Sequence, residues 1–194
     1  AKVRRVIGYV PQALSADGEL TGYENLRVFA QLYDIPSAVR EDRVREALDF
    51  MGLGEAADRL VATYSGGMIR RLEIAQSMLH RPQVLFLDEP TVGLDPVARD
   101  AVWEHIIRLR ASFNMTIILT THYMDEVEKL CGRVAIMQHG KLAAIGTIAE
   151  LRTTSGDETA NLDQLFTRFT GGDGEGSGGY AETAGARQTA ERLG

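Results

Sequence analysis

The chain has 194 residues, 44% hydrophobic and 25% charged, a composition that fits a folded globular domain and excludes a disordered or membrane-embedded one. Its formal net charge of −6 offers no basic footprint for nucleic acid, and most of the excess is local, since residues 155 to 194 hold seven acids against three bases. No apolar run approaches the ~18 residues of a membrane span, no secretory signal follows the charged start, and with one cysteine, Cys131, an internal disulfide is impossible, so a reducing compartment is expected.

Residues 4–10 read as a short strand stopped by Pro11, with Gln12 at its end. Thr21 and Glu24 have capping-box spacing and open a helix whose apolar positions are Leu26, Phe29, Ala30 and Tyr33. A second helix follows Pro36-Ser37, with Val44, Ala47, Leu48 and Met51 on one face and Gly52 beyond its end. A third starts at Ser65-Gly66-Gly67, with Met68, Leu72, Ala75 and Leu79 as its buried stripe.

After Pro82 the pattern changes. Val84-Leu85-Phe86-Leu87-Asp88 is a continuous apolar run, as expected of a strand buried on both faces. Asp95-Pro96 reads as an N-cap with proline at the first helical position, ahead of Val102, Ile106, Leu109 and Phe113. A second buried strand, Thr116 to Thr121, ends at His122, and a short helix carries Met124, Val127 and Leu130. A third strand, Arg133 to Gln138, turns at His139-Gly140 into a short partner. Strands alternating with helices predict an α/β fold with a parallel sheet. The organisation expected is 1–12, a strand and its loop; 13–81, a helical subdomain; 82–151, the sheet core; 152–171, a C-terminal extension; and 172–194, a glycine-rich tail expected to be disordered.

Chemistry concentrates at a few points. Asp88-Glu89-Pro90 puts two carboxylates at the C-terminal end of a strand, where open α/β sheets place their ligands. One could hold magnesium bound to nucleotide phosphates while the other acts on a water, although a bare Asp-Glu-Pro also suits a solvated loop. Ser65-Gly66-Gly67 offers free N–H groups at a helix start and room for a phosphate, but the triplet alone is common in loops. His122 could donate to a phosphate oxygen at the same sheet edge, or be merely structural. Gln12 and Asp95 are unremarkable singly.

Together and in this order, Gln12, Tyr64-Ser65-Gly66-Gly67-Met68, Val84-Leu85-Phe86-Leu87-Asp88-Glu89-Pro90, Gly93-Leu94-Asp95 and His122 resemble the ABC ATPase family over about residues 4 to 170. They match its Q-loop, signature, Walker B with catalytic glutamate, D-loop and switch histidine. The resemblance implies a P-loop NTPase fold with a helical subdomain, and ATP and Mg2+ as cofactors. It implies that Asp88 holds magnesium and Glu89 polarises the attacking water. Gln12 would sense magnesium and the γ-phosphate, and His122 would stabilise charge on the transferring group. Ser65, Gly66 and Gly67 would bind ATP held by a second ATP-binding subunit, with Asp95 signalling across that dimer. A polytopic permease would be the other partner, with the chain on the cytoplasmic face of the membrane.

Two departures stand out. Tyr64 and Met68 replace the usual Leu and Gln at the ends of the signature, leaving its Ser-Gly-Gly core. No G-x-x-x-x-G-K-S/T run occurs anywhere; Gly140-Lys141 is followed by Leu142. With no initiator Met, a truncated chain, inactive by itself, is expected rather than a degenerate protein. The stretch from Ser65 to Ala75, and Asn161-Leu162-Asp163-Gln164-Leu165-Phe166, look like the ATP-binding subunits of bacterial drug and antibiotic exporters of the daunorubicin-resistance type. The alternatives are a non-transport ABC ATPase and a non-catalytic partner supplying the signature in trans. Only 52 residues separate Gln12 from Ser65, with no heptad run, which leaves no room for the coiled-coil insertion of the DNA-repair members.

Overall fold

A computed structural model describes residues 3–171, which fall in two compact units divided after Leu130. The expectation for the tail, 172–194, lies outside the described residues.

In the first unit, strands β1 (Ile7–Val10), β2 (Val84–Asp88) and β3 (Thr116–Thr120) form a parallel sheet in the order β1-β2-β3. The helices are α1 (Gly22–Leu32), α2 (Ser37–Phe50), α3 (Gly66–Met78), α4 (Pro96–Ser112) and α5 (Met124–Leu130). β1 starts later than its sequence suggests, because Val3–Arg5 forms a 3-10 turn. The Val6 carbonyl accepts from the N–H groups of both Gln83 and Val84, at 2.8 and 3.1 Å, and the ladder begins only after it.

The two faces of the sheet differ. Gly8, Val10, Leu85 and Leu87 share one face, and a Cβ on Gly8 would lie 2.6 Å from the Ser77 carbonyl oxygen of α3. Helix and strand approach too closely there for any side chain. On the other face Tyr9, Phe86 and Ile118 lie side by side in register, and Tyr9 and Ile118 are 57% and 45% exposed. The expectation of strands buried on both faces is therefore corrected. β2 alternates buried with half-buried positions, and β3, at the edge, alternates half-buried with exposed ones. Side chains of a pleated strand change face at every residue, so one strand can be packed on one side and open on the other.

The helices follow their local chemistry. Thr21 and Glu24 form the capping box of α1. Leu26 and Ala30 are buried beneath it, as are Val44, Ala47 and Leu48 of α2 and Met51 after it. Asp95 caps α4, with Pro96 in its first turn. α3 is buried on more than a stripe: α1, α2, α4 and β1 all pack on it, and Arg70, Glu73, Gln76 and Ser77 are buried with its apolar residues.

In the second unit β4 (Val134–Gln138) and β5 (Lys141–Gly146) make the expected hairpin. Its two turn residues, His139 and Gly140, both have positive φ, 48° and 73°, as a tight hairpin turn requires. Capping boxes at Thr147/Glu150 and Asn161/Gln164 start α6 (Ile148–Ser155) and α7 (Leu162–Phe169). Leu151, Leu162 and Leu165 are buried. Among the described residues no helix is long and apolar enough to cross a membrane.

Candidate active site at the strand ends

Asp88 ends β2 opposite Thr120 of β3. The Thr120 hydroxyl donates to Asp88 Oδ1 at 2.5 Å and the Tyr9 hydroxyl to Oδ2 at 3.3 Å, so both carboxylate oxygens are held by neutral donors. Loss of solvent, then the Asp88 charge and its hydrogen bond, push the Tyr9 pKa above the ordinary phenol value, which keeps Tyr9 a donor.

Glu89 leaves the strand at φ 46°, a left-handed conformation that costs a non-glycine residue about 1 kcal/mol or more. Its N–H still completes the ladder to the Thr120 carbonyl at 3.0 Å, which fixes where the turn begins. The turn carries Oε1 to 2.9 Å from Nδ1 of His122, while Oε2 is buried with no hydrogen-bond partner. His122 itself, just past β3, is largely exposed. A carboxylate with one oxygen fixed by an imidazole and the other unpaired is suited to orient a water or meet a cation.

A second group assembles where α3 meets α4. Ser65 caps α3, its hydroxyl accepting from the Met68 N–H at 3.3 Å. Asp95 caps α4, its Oδ1 accepting from the N–H groups of Val97 and Ala98 at 3.0 Å each. A Cβ on Gly67 would lie 2.9 Å from the Ala98 Cβ, and one on Gly66 3.3 Å from Leu94. Close packing of these two helix starts thus demands glycine at 67, independently of any ligand. Ser65, Gly66 and Asp95 are exposed. The unusual Tyr64 is buried, with its hydroxyl donating to the Ala56 carbonyl at 2.6 Å, so that departure serves the fold.

The Gln12 side chain is exposed, and its position is set through its backbone carbonyl, which accepts from Arg70 at 2.7 Å. Nothing in the residue types marks Tyr9 or Thr120 as partners of Asp88, because only strand register unites them. Glu126 was also missed. Wholly buried, it accepts from the Thr91 hydroxyl at 3.0 Å and from Trp103 Nε1 at 2.9 Å, joining the turn after Glu89 to α4 and α5. Among the described residues no three His, Cys, Asp or Glu side chains could cage a metal. Magnesium needs no such cage when phosphates and waters complete its shell, and Asp88 with the unpaired oxygen of Glu89 fits that donor set.

Residues 1–92 match the family model described as ABC transporter. A solved ATP-binding subunit of an ABC transporter superposes with a TM-score of 0.72 at 31% identity, over 86% of this chain and 69% of that one. The chain belongs to the ABC transporter family. Its parallel sheet and helices are the α/β frame of the ABC-type P-loop NTPases, and cbiO1 of Clostridium perfringens, part of the complex cbiONQ, matches it with a TM-score of 0.71 at 29% identity over 78% of this chain and 61% of that one. Among ABC relatives, the daunorubicin/doxorubicin resistance ATP-binding protein of Streptomyces peucetius is 46% identical over 82% of this chain and 48% of its own length. The linearmycin resistance ATP-binding protein of Bacillus subtilis is 40% identical over 82% of this chain and 51% of its own. The chain thus spans about half the length of these curated relatives.

Proposed function

We propose that this chain is the catalytic and signature-bearing part of an ATP-hydrolysing subunit that powers export of a small hydrophobic drug or antibiotic. The membrane path belongs to a separate polytopic permease, with this chain at its cytoplasmic face, and the similarity to two antibiotic-resistance proteins supports this branch. Residues 13–81 serve as the helical subdomain and 82–151 as the ATPase core. Asp88 would hold the Mg2+ that accompanies ATP, and Gln12 would sense that ion and the γ-phosphate. Glu89 orients the attacking water, and His122 steadies both Glu89 and the charge on the transferring phosphoryl group. Ser65, Gly66 and Gly67 receive the γ-phosphate of ATP held by a second copy, and Asp95 lies at that junction.

The observation that carries this reading is Glu89, held by its backbone turn and by His122 while its second oxygen stays buried and unpaired. Within residues 1–194 no G-x-x-x-x-G-K-S/T loop supplies the amide cradle and lysine for phosphates, so this chain by itself holds ATP weakly. The test is Glu89→Gln in a protein where the chain follows such a loop. ATP binding stays, and turnover falls by about 100-fold or more, because the amide keeps the shape but loses the charge that polarises water. Turnover within twofold of the parent would remove Glu89 from this role.

A further inference from the structure

Arg70 and Glu73 form an ion pair on α3 with both side chains only 2% exposed and Nη1 3.0 Å from Oε2. Burying two charges is costly unless every polar atom is matched, and as a mere helix brace a pair of apolar residues would serve as well. Here the remaining hydrogen bonds go to one loop. Arg70 Nη1 donates to the Pro11 carbonyl at 2.6 Å and Nη2 to the Gln12 carbonyl at 2.7 Å. Glu73 Oε1 accepts from the Ser15 N–H and, at 3.2 Å, from the Ser15 hydroxyl. Burial lowers the guanidinium pKa, and the Glu73 charge beside it opposes that shift. Only the planar fork of arginine can serve two successive carbonyls and a carboxylate at once.

The first turn of the same helix carries Gly66 and Gly67 behind the Ser65 cap. From there to Glu73 the helix runs about 10 Å without a break, short enough to be stiff.

We propose that Arg70 and Glu73 are positioning residues that clamp the loop of Gln12 to α3, so that Gln12 and Ser65-Gly66-Gly67 move as one body. A shift of one phosphate-facing group is then imposed on the other, although 52 residues of chain separate them. The functional half of this inference rests on the role proposed above for Gln12.

Two measurements test it. Hydrogen exchange of the 194-residue chain reads the clamp without nucleotide. Arg70→Lys keeps the charge but loses the fork, and raises exchange of the Ser15 amide, which donates to Glu73, about tenfold while α3 and β2 stay within about twofold. Glu73→Gln keeps an acceptor for Ser15 and loses the ion pair, and gives a smaller rise confined to the same loop; it serves as the probe if Arg70→Lys does not fold. A uniform rise across loop and helix, or none in the loop, overturns the clamp. In a protein where the chain follows a phosphate-binding loop, Arg70→Lys lowers kcat about fivefold with KM for ATP within about twofold, and has no further effect in a Gln12→Ala background. Multiplicative effects of the two substitutions overturn the coupling. A wild-type kcat for Gln12→Ala overturns instead the role of Gln12, and the exchange result still judges the clamp separately.

Discussion

Nδ1 of His122 lies 2.9 Å from Oε1 of Glu89, across 33 positions of sequence, and the two meet because β3 lies beside β2 in parallel register. The imidazole thereby holds one oxygen of the carboxylate in place. In a protein where the chain follows a phosphate-binding loop, His122→Ala and Glu89→Gln should each reduce ATP turnover strongly. The double variant should be little worse than Glu89→Gln alone, because the two act as a unit. Fully multiplicative losses, measured as kcat in a double-mutant cycle, would show that they act independently.

The 194-residue chain by itself should bind a labelled ATP analogue weakly, with no measurable hydrolysis, because it contains no loop to cradle the phosphates. Equilibrium titration checks this, and affinity in the micromolar range with turnover would contradict it.

At the start of α3 two glycines should separate. Gly67→Ala places a Cβ 2.9 Å from the Ala98 Cβ and should lower stability by about 1–3 kcal/mol in chemical denaturation. Gly66 is exposed and near only Leu94, at 3.3 Å, so Gly66→Asp should be tolerated better by the fold. In a protein with its own phosphate-binding loop Gly66→Asp should abolish ATP-dependent dimerisation while monomer affinity for ATP stays normal. An Asp88→Ala variant should instead lose monomer affinity, and equal losses in both would place Ser65-Gly66-Gly67 in the same subunit's pocket.

Glu126 offers a spectroscopic handle, since Trp103, which donates to it at 2.9 Å, is the only tryptophan. Glu126→Ala leaves that N–H and the Thr91 hydroxyl without their buried acceptor and should cost about 2–4 kcal/mol. Trp103 emission should shift at the same time. A variant of unchanged stability would show that water replaces the carboxylate.

His80 makes stability depend on pH. Its Nε2 lies 3.0 Å from the Ile7 carbonyl, its ring stacks on Tyr33 at 4.0 Å, and its Nδ1 is buried with no hydrogen-bond partner. Burial pulls its pKa below the ordinary 6.5, with the Ile7 bond opposing. The unfolded chain therefore takes up the proton first as pH falls. The stability this site contributes is present above about pH 6.5 and declines below it, through the folded-state pKa. Denaturant midpoints should fall between pH 7.5 and 5.5, less steeply in His80→Phe; His105, also shifted down by burial, should keep part of the slope. An identical slope in the variant would exclude His80 as a source.

Residue types alone dictate the local features. Thr21 and Glu24, Asp95 and Pro96, and His139-Gly140 each carry their cap or turn in the residue types, because those hydrogen bonds and dihedrals close within a few positions. The order of Gln12, Ser65-Gly66-Gly67, Asp88-Glu89, Asp95 and His122 also marked the family from sequence alone. The partnerships between distant residues come from packing. Tyr9 and Thr120 reach Asp88 through strand register, and Arg70 and Glu73 meet the loop of Gln12 because α3 packs against β1. Packing also decides which strand face is covered, since an apolar run such as Val84 to Leu87 looks the same whether a helix lies over one face or both. Such pairings depend on where distant segments dock, and hydrophobic periodicity carries no information about which polar groups that docking brings within hydrogen-bond distance.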